Sequence, residues 1–238
     1  TGFTDSGGGS YSATYTVAEG HTDRAAGDDI PVSFVLDDGA GNSSATYTTA
    51  ISQGGDAIDA NSPSITNVTI PNASAAVGDA IAVTITASES GLSLNSGTVN
   101  GVAVTGFTDS GGGSYSATYT VAEGHTDRAA GDDIPVSFVL DDGAGNSSAT
   151  YATAISQGGD AIDANSPSVT NVTIPNASAA VGDAIAVTIT ASEAGLSLNS
   201  GTVNGVAVTG FTDSGGGSYS ATYTVAEGHT DRAAGDDI

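Results

Sequence analysis

The same 30 residues, TGFTDSGGGSYSATYTVAEGHTDRAAGDDI, begin at Thr1, at Thr105 and at Thr209. The starts lie 104 residues apart, and wherever two copies overlap they differ only at Thr48 against Ala152, Ile65 against Val169 and Ser90 against Ala194. A period of that length is a small domain rather than one unit of a solenoid, so each copy must close a core of its own. The repeat divides the chain into residues 1–59, the C-terminal part of one module with its linker; 60–163, a complete module with its linker; and 164–238, the N-terminal part of a third. A sequence that starts and stops inside a repeat reads as a window on a longer tandem array.

Within the complete module, apolar residues alternate with polar ones, the pattern of half-buried strands. Ile81, Val83 and Ile85 share one face of AIAVTIT; Tyr115, Ala117, Tyr119 and Val121 share one face of YSATYTV. Ile134, Val136, Phe138 and Leu140 do so in IPVSFVL, as do Ala149, Tyr151, Thr153 and Ile155 in ATYATAIS. Weaker strands are predicted in SITNVTI before Pro71, in LSLNSGTV and in VAVTGF, the last two joined by Asn100-Gly101, a strong signal for a two-residue hairpin. No helical periodicity competes. Seven short antiparallel strands in about 100 residues predict an all-β fold, a tandem array of immunoglobulin-like β-sandwich modules stacked end to end. Pro135 is expected at a strand start or an edge, where its missing N–H costs little.

The charge balance narrows the function. Three arginines stand against 27 acids, with a formal net charge of -24. Nucleic acid and anionic membrane need a basic surface, so neither is an expected partner. No apolar run approaches the roughly 20 residues that cross a bilayer as a helix. With no cysteine, the module must be held by its core, by metal, or by both.

Counting alternating strand directions sends the acids to the two ends of the sandwich. The loops at Glu89, Asp109 to Ser114 and Asp141 to Asn146 fall at the upstream pole, near the incoming linker with Asp56, Asp59 and Asn61. The loops at Pro71 to Asp79 and Ala122 to Asp133 fall at the downstream pole, near the outgoing linker with Asp160 and Asp163. The linkers, QGGDAIDANSP at residues 53–63 and 157–167, are too acidic for simple spacers. Adjacent carboxylates such as Asp132-Asp133 and Asp141-Asp142 repel unless a cation lies between them. Calcium takes 6 to 8 oxygen ligands from carboxylates, amides and backbone carbonyls on flexible loops, which is what the poles supply. The candidate ligands are Asp56, Asp59, Asp79, Glu89, Glu123, Asp127, Asp132, Asp133, Asp141, Asp142, Asn146, Asp160, Asp163 and Glu193. Against this stands a plainer reading, in which Asp serves each turn through local hydrogen bonds and the acids together keep the protein soluble in salt. Neither the EF-hand loop nor the G-G-x-G-x-D nonapeptide is present, so any site must be assembled by folding and stacking.

Other chemistry is sparse. His125 has no evident nucleophile or metal partner and reads as a loop residue; Arg128 is expected to pair with a nearby carboxylate such as Asp127 or Asp132. The strand period of Tyr115, Tyr119 and Tyr151 points to core packing rather than stacking on a sugar. The run of glycines at 111–113 lacks the lysine and helix of a phosphate loop, and Asn42, Asn67 and Asn72 start N-x-[ST] sequons of the kind frequent in Ser- and Thr-rich chains.

The words VTIPNASAAVGDAIAVTIT, LDDGAGNSSATY and DAIDANSP, in near-identical 104-residue copies, resemble the tandem immunoglobulin-like extender repeats of giant bacterial RTX adhesins, including calcium-dependent ice-binding ones. The resemblance covers the whole chain. It implies a bacterial cell-surface protein, exported by a type I system, whose modules bind Ca2+ within and between repeats and hold a separate ligand-binding domain away from the cell. The family's acidic positions carry over to Asp56, Asp59, Asp160 and Asp163, and to Asp132, Asp133, Asp141 and Asp142. No regular threonine array suited to ice is present, so ice binding is not expected of these residues. The expectation is a non-enzymatic extender whose partners are neighbouring repeats of its own chain. The alternative is a repeat that itself binds carbohydrate or protein, with acidic loops serving only solubility.

Overall fold

The computed structural model describes residues 2–55, 57–159, 161–233 and 235–236. It divides into two compact units, Thr1–Ala164 and Asn165–Ile238. The described residues are strands, turns and bends with no helix, and no helix is long and apolar enough to cross a membrane.

In the first unit, the leading copy holds a short hairpin of β1 (Thr4–Gly7) and β2 (Ser10–Ser12). The complete module follows with β3 (Ile65–Thr69), β4 (Ala75–Ala76), β5 (Ala80–Ala87), β6 (Ser93–Val99), β7 (Val102–Ala103), β8 (Thr105–Gly111), β9 (Ser114–Thr120), β10 (Val136–Asp141) and β11 (Ile162–Asp163). One sheet runs β3-β5-β9-β8, antiparallel throughout; the other runs β10-β6-β7. Ser147 and Tyr151 bridge Asp141 and Phe138 of β10, and Ile155 bridges Ile134 just before it. These two sheets make an immunoglobulin-like β-sandwich.

The alternation seen in the sequence is the reason for the core. On β5, Ile81, Val83, Ile85 and Ala87 point inward, and on β9 Tyr115, Ala117 and Tyr119 meet them. Val136, Phe138 and Leu140 of β10 close the core from the second sheet. Each buried Val, Ile, Leu or Phe side chain contributes about 1.5–3 kcal/mol by leaving water. The buried tyrosine hydroxyls are satisfied: Tyr115 donates to the Glu89 carbonyl at 2.9 Å and accepts from the Leu92 N–H at 3.0 Å. Asn100, at φ 54°, and Gly101, at φ 79°, form the expected turn between β6 and β7. Pro135 immediately precedes β10, and its carbonyl accepts from the Asn100 N–H.

Two expectations need correction. VAVTGF is not one strand: β7 belongs to one sheet and β8 to the other, with the chain crossing at buried Val104. ATYATAIS is not a continuous strand; it touches β10 only at separate bridges. The outgoing linker, too acidic for a simple spacer, also joins the fold: Ile162 is buried and β11 pairs in parallel with β4. The sequence pattern there is too short to reveal a two-residue strand whose partner lies 87 positions upstream.

The second unit repeats the first sheet as β12 (Val169–Thr173), β13 (Ala184–Ala191), β16 (Thr209–Gly215) and β17 (Ser218–Thr224), ordered β12-β13-β17-β16, with a separate hairpin of β14 (Thr202–Val203) and β15 (Val206–Ala207). In the leading copy, Tyr11, Tyr15 and Phe34 are 47%, 61% and 49% exposed, whereas their counterparts Tyr115, Tyr119 and Phe138 are fully buried. Residues 1–59 repeat 105–163 and so carry no counterpart of β3, β5 and β6, the strands that cover these rings in the complete module.

Candidate metal centre

The turn Asp142-Gly-Ala-Gly-Asn146 is built around one carboxylate. Asp142 Oδ1 accepts from the N–H groups of Ala144 at 2.9 Å, Gly145 at 2.8 Å and Asn146 at 2.8 Å, and its Oδ2 accepts from Asn146 Nδ2 at 2.8 Å. Partial burial works against the charge on Asp142, but the Asn146 bonds and the other backbone N–H groups outweigh it and lower the pKa. The same turn recurs at Asp38, lowered chiefly by Asn42. The neighbouring Asp141 is held by Ser147 Oγ at 2.6 Å and Asn95 Nδ2 at 2.8 Å, which ties the turn to β6.

This turn faces the incoming linker. Asn146 Nδ2 reaches the backbone carbonyl of Asp59 at 3.4 Å. From the leading copy, Asp23 accepts the Ala60 N–H at 2.9 Å and Asn61 Nδ2 at 2.6 Å, and Glu19 accepts the N–H and hydroxyl of Ser62, the latter at 2.8 Å. The linker is therefore clamped by carboxylates of the copy before it, while the complete module presents Glu89 and Asp142 from the other side. Glu89 registers the result: loss of hydration first, then the negative charges of Asp142, Asp59 and Asp23, raise its pKa. Carboxylates from both sides of one joint thus act on a single group.

Of the residues singled out in the sequence, Asp59, Glu89, Asp142 and Asn146 come together here, whereas Asp56 and Asp160 lie outside the described residues. At the downstream pole, Asp127 accepts the Ala164 N–H at 2.8 Å, as Asp23 does for Ala60, and Gly124 donates to the Ala164 carbonyl as Gly20 does to that of Ala60. Glu123 is exposed on that same loop, and Asp163 ends β11. Asp79 and Asp132 each accept an N–H at 2.9 Å from three residues upstream, Ala76 and Ala129, and so act as turn formers; Asp133 is exposed beside them. In the second unit, the Glu193 carbonyl accepts from the Tyr219 hydroxyl as that of Glu89 does from Tyr115.

Glu19 and Asp23 were not among the candidate ligands, although the signal was available, since they repeat Glu123 and Asp127 at the 104-residue period. Arg128 donates through Nε to Asn100 Oδ1 at 2.7 Å, a partner the charge pattern did not suggest. His125 Nδ1 accepts the Ala122 N–H at 3.1 Å and stacks on Tyr119, a local loop role.

The donors at the joint are oxygens: carboxylates of Glu19, Asp23, Asp59, Glu89 and Asp142, with the Asp59 carbonyl and Asn61 and Asn146 amides beside them. Such a set suits a hard cation with many oxygen ligands. Among the described residues no three acidic or imidazole side chains are gathered as a metal-holding group.

No protein-family model matches the chain, and no curated protein matches it. A similar solved structure is that of FdeC, a broadly conserved adhesin of Escherichia coli, at a TM-score of 0.36 and 20% identity over 78% of this chain. The chain spans 62% of that structure's length.

Proposed function

We propose that this chain is part of a non-enzymatic extender of a bacterial surface adhesin, in which calcium shared at the joints stiffens the array and projects a distal ligand-binding domain. The observation that supports this reading most is the convergence on Glu89 of negative charge from Asp142, Asp59 and Asp23, which belong to the module, the linker and the preceding copy. Without a cation, these groups repel and loosen the joint; with one, they become shared ligands. A complete module carries 11 acids in residues 60–163 and one arginine, or −11 + 1 = −10, so each added ion also relieves the charge of the whole module. Extracellular modules bind calcium with dissociation constants of about 10⁻⁴–10⁻³ M, which lets the joint stiffen outside the cell.

A second reading has its own support. The carboxylates of Asp79, Asp109, Asp132 and Asp142 all accept N–H groups of their own turns, which makes them turn formers first. On that reading the acids serve folding and salt-tolerant solubility, and the repeats contact carbohydrate or protein themselves. Thermal unfolding separates the two. At calcium about 100-fold above the dissociation constant, each site adds about 2.7 kcal/mol, or roughly 5–10 °C for a chain of this size. An unchanged melting temperature after chelation contradicts the calcium reading.

A further inference from the structure

We infer that Asn100, in the turn between β6 and β7, couples the folded sandwich to the joint downstream of it, by fixing the loop that holds the outgoing linker. The inference rests on the reading of the module's poles as its working joints, but not on calcium. Residues 122–133 include no buried side chain, so apolar packing does not set the path of this loop. The loop is nevertheless stitched to the linker. Asp127 Oδ1 accepts the Ala164 N–H at 2.8 Å, and Gly124 donates to the Ala164 carbonyl at 2.9 Å. Arg128 and Ile162 exchange both of their backbone bonds, at 2.9 and 3.0 Å, and Ile162 and Ala164 are buried. What holds the linker is thus a loop that needs polar anchors of its own.

Asn100 supplies them from the core. It is buried; its Nδ2 donates to the Thr126 carbonyl at 2.7 Å, and its Oδ1 accepts from Arg128 Nε at 2.7 Å. Thr126 and Arg128 flank Asp127, so the carboxylate that takes the Ala164 N–H is held from both sides. The backbone N–H of Asn100 donates to the Pro135 carbonyl at 2.8 Å, which anchors the chain just past the loop. Tyr119, fully buried on β9, adds longer contacts: its hydroxyl lies 3.5 Å from Asn100 Nδ2 and 3.3 Å from His125 Nδ1. The position demands an amide. A carboxylate only accepts and could not serve the Thr126 carbonyl, and the left-handed φ of 54° suits Asn. The second unit repeats the bonds, with Asn204 Nδ2 donating to the Thr230 carbonyl at 2.7 Å and Arg232 Nε to Asn204 Oδ1 at 2.9 Å. Removing the amide leaves the Thr126 carbonyl and Arg128 Nε without this partner together, so the loop and the linker it holds open locally while the sheets stay closed.

Hydrogen exchange of the intact chain, read by mass spectrometry in chelator so that calcium plays no part, tests this. Asn100→Gly keeps the left-handed turn and removes only the side chain. Peptides spanning residues 161–169 carry the Ile162 and Ala164 amides, and those spanning 80–90 carry β5. Val169 and Ser90 give them masses that their counterparts ending at Ile65 and Ala194 do not have. Asn100→Gly should speed exchange in 161–169 by about tenfold or more and leave 80–90 unchanged. Arg128→Met, at a half-buried position outside the turn, should act in the same direction and add little to Asn100→Gly; it carries the test by itself if Asn100→Gly does not fold. Exchange in 161–169 that neither substitution changes overturns the inference. So does equal acceleration of both peptides, which marks a general loss of stability. The calcium reading is decided separately, by the melts with calcium and with chelator.

Discussion

Gly97 lies directly under the ring of Phe138: a Cβ added to it would stand 2.7 Å from Phe138 Cε1 and 2.8 Å from Cδ1. Phe138 is fully buried between the sheets, so its ring has nowhere to retreat. Gly97→Ala should therefore cost about 1–3 kcal/mol by overpacking, lowering the melting temperature by several degrees. Gly143→Ala, where a Cβ would meet nothing within 4 Å, should change stability by less than about 0.5 kcal/mol.

The raised pKa of Glu89 fixes the sign of one pH effect. In the calcium-free protein the folded state holds that proton more tightly than the unfolded chain, so Glu89 adds stability in acid and loses it as pH rises through its folded pKa. Asp142 acts in the opposite sense, with a contribution present at neutral pH that is lost as pH falls through its lowered pKa. In chelator at pH 7, Glu89→Gln should raise the melting temperature by about 1–2 °C, a small effect because solvent screens the group. Asp142→Asn should lower it. Melts between pH 4 and pH 8 would read both slopes.

The joint was only partly legible in the sequence. Strand alternation revealed the inward faces of β5, β9 and β10, because burial on one face leaves a period of two at Ile81, Val83 and Ile85 or at Val136, Phe138 and Leu140. Counting strand directions also brought Glu89, Asp142 and Asn146 to the end facing Asp59. What it could not show was the split of VAVTGF between two sheets, which depends on where Val104 is buried, or the β4–β11 pair, formed by residues far apart in the chain. Asp23 and Glu19 were legible through the 104-residue period, which repeats them as Asp127 and Glu123, but their partners were not. Their role appears only once the linker runs back across the copy that precedes it, giving the N–H groups of Ala60 and Ser62 to them.

Asp23 and Asp59 give the sharpest substitutions. Asn in place of Asp23 keeps an oxygen able to accept the Ala60 N–H, and the Asp59 contact with Asn146 uses the backbone carbonyl, so both variants should fold normally in chelator. Losing ligand charge weakens a calcium site. Asp23→Asn and Asp59→Asn together should therefore weaken calcium binding by roughly tenfold or more and remove most of the calcium-dependent gain in melting temperature. Calorimetric titration and melting on the same samples would check this.

The claim that calcium stiffens the joint is tested most directly by a distance distribution across it. Spin labels at Thr48→Cys in the leading copy and Thr84→Cys on the exposed face of β5 place one probe on each side of the linker, in a chain with no other cysteine. Double electron–electron resonance reads the distribution of distances between the two labels. With calcium one narrow peak is expected, which broadens on chelation and returns when calcium is restored. A distribution of the same width in calcium and in chelator would contradict it.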